Sequence, residues 1–276
     1  MISHAHRRQR TWIAVTVGVL TATLIAGCST SESGPAWHPA AAAPPSVSVP
    51  EPSDEPVAGV SPSEEPTRET LAEDVLQLKG RTPTTGSGKF TFSGERGPVA
   101  GRKGKLHRFK VAVEKGSGED VDDFTAQVRA TLEDDRSWSG SGKLRLQMVA
   151  GTDKADFTVY LATRDTAGRM CEQGGTNIRI GGVPFTSCRT TGKAILNLDR
   201  WRKSSTPYLE AKVGLAEYRR YVINHEVGHE LGHRHEGCPK AGGPAPVMVQ
   251  QTLILRGCKP YSWPRRNDKD LSGPLL

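Results

Sequence analysis

Eleven consecutive residues hold the densest chemistry of the chain: His225, Glu226, Val227, Gly228, His229, Glu230, Leu231, Gly232, His233, Arg234 and His235. The spacing is H-E-x-x-H-x-x-G-x-x-H. On a helix, His225 and His229 leave the same face one turn apart, so two imidazole nitrogens come within reach of one ion. Glu226 stands beside them, where a carboxylate takes a proton from a metal-activated water rather than binding the metal. His235 lies six residues beyond His229, and at about 100° per residue a continuing helix would turn it away. It joins the other two only if the helix stops. Gly232 is where it can stop, because glycine enters the left-handed conformation without a Cβ penalty. Three neutral imidazoles then hold one zinc ion and leave the fourth position to water, the donor set of a catalytic rather than a structural site.

This string resembles the metzincin zinc metallopeptidases, whose signature adds a methionine-containing turn after the third histidine. Pro246-Val247-Met248-Val249-Gln250 matches that turn, with Met248 thirteen residues beyond His235. The closest likeness is to an uncharacterised group of actinobacterial secreted or lipid-anchored metzincin-like domains. The strong motif covers Tyr221 to Val249. Glu236, directly after the third histidine, is similar to the astacin subgroup. Gln250 departs from it, since that subgroup has tyrosine two residues beyond the methionine. Tyr261 is the nearest tyrosine downstream.

The resemblance implies an α+β, zincin-like fold: a twisted mixed β-sheet packed on helices, an active-site helix, and a small irregular C-terminal part. It implies Met248 as an apolar floor beneath the three histidines, not a ligand. A substrate would lie extended along an edge strand, placed near Thr176 to Gly181. The pocket for the side chain after the cut bond would come from around Gln250 to Leu255. The function implied is a zinc endopeptidase acting on proteins or peptides, with one catalytic Zn2+ and Glu226 as general base. A catalytically silent zinc-binding surface module and a hydrolase of peptidoglycan peptides are the other readings.

The elements that must position these residues show in the apolar periodicity. Leu106 to Val113 alternates and predicts a strand, as do Lys143 to Val149 and Phe157 to Leu161. Asp122 to Glu133 carries Phe124, Val128 and Leu132 at helical spacing, with acids near its start that suit the helix dipole. Ile178 with Ile180, and Ala194 to Leu198, predict two more strands. The helix of His225 starts near Leu215 or Glu217. The sheet is expected to pack on two helices, with Trp138 and Trp201 as core or rim.

The N-terminus has Arg7, Arg8 and Arg10 before an apolar stretch, Trp12 to Gly27, that is short for a membrane span. Leu24-Ile25-Ala26-Gly27-Cys28 resembles a lipoprotein cleavage box. Residues 1–27 are therefore read as a signal peptide and Cys28 as the lipidated N-terminus, with an uncleaved signal anchor as the other reading. Residues 28–68, rich in Pro, Ala, Ser and Glu, cannot bury enough apolar surface to fold and read as a spacer, with a pro-segment as the other reading. Residues 69–276 form the catalytic domain. The expected location is the outer face of the bacterial cytoplasmic membrane, or outside the cell.

Four further cysteines, Cys171, Cys188, Cys238 and Cys258, form an even set in an exported chain and suggest two disulfides. Three pairings are possible. The sequence-local ones, Cys171–Cys188 and Cys238–Cys258, are favoured over zinc ligation by Cys238, since three histidines suffice. Residues 1–27 carry three Arg and no acids, and 28–68 carry six acids and one Arg. That leaves +9 on 69–276 within the chain's net +7. Such a domain is drawn to an anionic membrane and wall. Its basic residues are scattered and aromatics are 6% of the chain, so no nucleic-acid platform is expected. An anchored monomer is the simplest assembly.

Overall fold

The computed structural model describes residues 72–276. The stretches read as signal peptide and spacer, with Cys28 between them, lie outside the described residues. Three strands open the domain: β1 (Phe90–Phe92), β2 (Val99–Ala100) and β3 (Lys105–Glu114). Helix α1 (Val121–Leu132), a 3-10 turn (Trp138–Ser141), β4 (Leu144–Met148), β5 (Phe157–Ala162) and α2 (Arg164–Gln173) follow. A two-stranded ribbon, β6 (Arg179–Ile180) and β7 (Val183–Pro184), precedes β8 (Cys188–Thr190) and β9 (Lys193–Asn197). Then come α3 (Leu198–Lys203), α4 (Thr206–Glu210) and α5 (Leu215–Glu230). A last ribbon, β10 (Arg265–Arg266) and β11 (Lys269–Asp270), is the only paired structure of more than one bridge after α5 among the described residues.

The main sheet has the order β2-β4-β3-β5-β9-β8, with β1 also on β3. It is mixed: β4, β3, β5 and β9 run parallel, while β1, β2 and β8 are antiparallel to their neighbours. The arrangement is α+β. Alternation decides which side of each strand is covered. Phe109, Val111 and Val113 of β3, Val159 and Leu161 of β5, and Ala194 and Leu196 of β9 face α1 and α5 in one core. The same core takes Phe124, Val128 and Leu132 from α1, the apolar stripe seen in the sequence. Asp120 caps α1, accepting from the N–H groups of Asp122 (2.8 Å) and Asp123 (3.0 Å), a cap that contributes about 1 kcal/mol.

Two expectations need correction. The sheet is not covered by two helices alone: α2 packs on its other face, where Ala167 and Cys171 meet Ile178, Cys188 and Ile195. Leu198 does not end a strand; it opens α3, because Asn197 turns its side chain to accept from Asp199 N–H (3.0 Å). Both disulfides have the sequence-local pairing, Cys171–Cys188 and Cys238–Cys258. Cys238 is thereby committed to a bridge and is not free to ligate a metal. Among the described residues no helix is long and apolar enough to cross a membrane.

Candidate metal centre

Helix α5 carries His225 and Glu226, both buried, and the half-buried His229, and its end is built as the glycine required. Leu231 is the last cap residue and Gly232 has φ +95°. Gly232 N–H donates to His229 O (3.2 Å) and His233 N–H to Gly228 O (2.9 Å). That pair of bonds is a Schellman ending, which satisfies the last carbonyls and redirects the chain. His235 returns as a result. Its Nε2 lies 3.1 Å from His229 Nε2, and ring nitrogens of His225, His229 and His235 all lie within 4.8 Å of one another. Among the described residues no other three His, Cys, Asp or Glu donors gather this way. His233 is not in the group; it stacks on Trp138 with ring centres 4.1 Å apart.

Two of the three rings have their tautomer fixed. His225 Nδ1 meets Val247 O at 2.8 Å, and His229 Nδ1 meets His233 O at 2.8 Å. A carbonyl only accepts, so each Nδ1 carries the proton and each Nε2 keeps a lone pair. Burial lowers the pKa of all three histidines; for His225 burial, then the charge of His229, brings it to about 3. All three are neutral at pH 7. Three neutral imidazole donors converging on one small volume fit a zinc ion.

The methionine turn meets α5 and the chain after it through backbone as well as side chain. Met248 is buried, and a Cβ on Gly228 would stand 2.6 Å from Met248 Sδ and 2.6 Å from Trp138 Cζ2. The glycine inside the motif thus lets the methionine turn rise against the helix between His225 and His229. Around it, Val247 O holds His225, and Met248 O accepts from Glu236 N–H (3.1 Å). Tyr221 Oη donates to Val249 O (3.1 Å), and the Tyr218 hydroxyl bonds Thr252 Oγ1 (3.0 Å). Two tyrosines of α5 therefore fasten the segment that follows the turn.

Glu226 is 5% exposed, and burial raises its carboxyl pKa to about 8, offset in part by the charge of Arg189. Arg189, on β8, is the residue the sequence did not single out. Its Nη2 donates to His229 O at the end of α5 (3.0 Å), and its Nε lies 3.7 Å from Glu230 Oε1. Glu230 in turn accepts from Lys193 N–H (3.1 Å) and Gly192 N–H (3.3 Å) in the β8–β9 turn. These reciprocal ties set the width of the gap between edge strand and helix.

That gap is a cleft of about 300 Å³. His225, Glu226, His229 and His235 line it, with Thr186 to Arg189 on one wall and Gln250, Thr252 and Leu253 on the other. The sheet edge beside it is β8, not the stretch Thr176 to Gly181. That stretch leaves the main sheet, because Arg179–Ile180 pairs with Val183–Pro184 in a separate ribbon; only Thr176 to Ile178 reach the cleft. Tyr261 does not line it, and donates its hydroxyl to Arg265 O (3.0 Å).

The fold and site together define an α+β domain with a three-histidine, one-carboxylate centre in an open cleft beside an antiparallel edge strand. Residues 77–265 match the family described as "Protein of unknown function (DUF3152)", and the chain belongs to that family. No curated protein and no solved structure matches the chain.

Proposed function

We propose that this protein is a zinc-dependent endopeptidase of metzincin type that acts on proteins or peptides outside the cytoplasmic membrane. The observation that carries the reading is the meeting of three neutral histidines with a buried glutamate, all lining one open cleft. His225, His229 and His235 would hold the ion. Zinc supplies a Lewis acid there, which acidifies water and stabilises negative charge developing on a carbonyl oxygen.

The rest is the work of the chain. Glu226 takes a proton from the attacking water and delivers it to the departing amine. Only the ionised carboxylate can accept that proton; burial makes it a stronger base than an ordinary carboxylate, and the positive charge of an ion held by the three histidines would favour the ionised form. β8 offers an edge to which an extended peptide adds as a strand. Gln250, Thr252 and Leu253 wall the side-chain pocket beyond the turn. Two disulfides agree with an oxidising compartment, and lipid anchoring at Cys28 would hold a monomer on the membrane's outer face.

The test is a mass-spectrometric digest of a diverse peptide library by the zinc-loaded chain, disulfides intact, beside Glu226→Ala. The wild type should cut. The variant should keep its zinc and lose about 10²–10⁴-fold in turnover. Equal cutting by both would remove Glu226 from the mechanism. No cutting by a folded, zinc-bearing wild type would move the protein toward a silent zinc module.

A further inference from the structure

The third histidine lacks what holds the other two. His225 and His229 sit on a helix, and each donates Nδ1 to a carbonyl. His235 lies past the helix end, and among the described residues its ring has no carbonyl partner. Its direction must therefore come from its backbone.

That backbone is held from two sides. On one, Glu236 N–H donates to Met248 O. On the other runs the segment Gly273–Leu276. Leu276 N–H donates to His235 O (3.1 Å), and Gly237 N–H to Pro274 O (2.7 Å). Glu236 and Leu275 form an antiparallel bridge. The Glu236 carboxylate, 8% exposed, accepts from Gly273 N–H (2.8 Å) and closes the clasp. The apposition is tight: a Cβ on Gly273 would lie 2.0 Å from Gly237 O. Yet Leu275 and Leu276 are 69% and 63% exposed. A segment kept for apolar burial would hide those side chains. This one spends its contacts on backbone bonds around one residue.

We propose that Gly273–Leu276, clasped by Glu236, is a positioning brace for His235 and sets the affinity of the zinc centre. The inference rests on the zinc reading above, and it adds that the ligand set is completed by residues nearly forty positions away in sequence. Glu236 and the brace touch neither substrate nor metal; they act through the direction of the third ring.

The experiment uses the full chain as wild type, Gly273→Ala, a deletion of 273–276, Glu236→Leu and Glu236→Gln. Zinc affinity is read by competition with a chromophoric chelator. Coordination is read from the visible spectrum of the cobalt-loaded protein, and folding from the melting temperature of the metal-free protein. Gly273→Ala, the deletion and Glu236→Leu should each weaken zinc by about 10–100-fold, as loss of ligand-orienting partners does. Each should alter the cobalt bands, with little change in metal-free melting. Glu236→Gln keeps an oxygen for Gly273 N–H and should recover most of what Glu236→Leu loses. Should the deletion fail to fold, the Leu and Gln pair still decides. A wild type that binds zinc, with variants that match its affinity and cobalt spectrum, overturns the brace alone. A wild type that takes up neither metal overturns the zinc reading, and the brace with it.

Discussion

Glu226 and His225 are neighbours in the chain, both are buried, and burial moves them in opposite senses: the carboxyl up to about 8, the imidazole down to about 3. Each is held neutral, so the metal-free fold is opposed by acid at one and by alkali at the other. For Glu226 the folded state keeps its proton above the ordinary carboxyl range, while the unfolded chain has released it. Stability therefore falls as pH rises between the unfolded value near 4.5 and the folded value near 8. For His225 the folded state refuses a proton that the unfolded chain accepts, so stability falls as pH drops from 6.5 toward 3. Glu226→Gln removes only the first effect. In metal-free protein the variant should match wild type near pH 4.5 and gain on it steadily to about pH 8. The limiting slope is about 1.4 kcal/mol per pH unit. Denaturant unfolding of both proteins across that range checks it; parallel curves would mean that Glu226 is not buried as a proton-holding group.

At the scale of elements, helix α5 is positioned through Gly228 as much as through its histidines. A methyl there meets Met248 Sδ and the rigid Trp138 ring at the same 2.6 Å. Gly228→Ala should raise helix propensity yet destabilise by about 1–3 kcal/mol, the usual result of overpacking; a gain on thermal unfolding would show that the turn yields. What the sequence disclosed follows the same division. His225, Glu226 and His229 are legible because a helical repeat is local. Gly232 is legible because only a left-handed residue lets His235 return. α1, β3, β4 and β5 show because their apolar residues repeat at the period of the element. α2 does not show: it buries Thr166, Ala167, Gly168 and Cys171, a stripe with almost no apolar contrast. β8 is three residues long, too short for a period. Arg189, Glu230 and the carbonyls of Val247 and His233 act through contacts that fold alone creates.

Across the whole molecule, the two bridges fasten the two sides of the cleft, and they should fail differently. Cys171–Cys188 ties α2, on the far face of the sheet, to β8, which walls the cleft. Cys238–Cys258 ties the chain just past His235 to the segment after the methionine turn, in a small core with Ala245 and Val249. The loops span 17 and 20 residues. Either bridge should therefore contribute about 3 kcal/mol by restricting the unfolded chain. Equal stability losses with unequal functional ones is the expected pattern. Removing the first bridge, by Cys171→Ala with Cys188→Ala, frees an edge strand that the proposed substrate pairs with but no histidine. Zinc affinity should hold while KM rises and kcat changes little. Removing the second, by Cys238→Ala with Cys258→Ala, loosens the strand of chain that carries the third histidine. Zinc affinity should fall while, at saturating zinc, KM stays near that of wild type. Zinc competition and steady-state kinetics on the two double variants separate the outcomes. Loss of zinc from the β8 variant, or an unchanged affinity in the other, would mean that the bridges hold the domain together without dividing its site into a substrate wall and a metal wall.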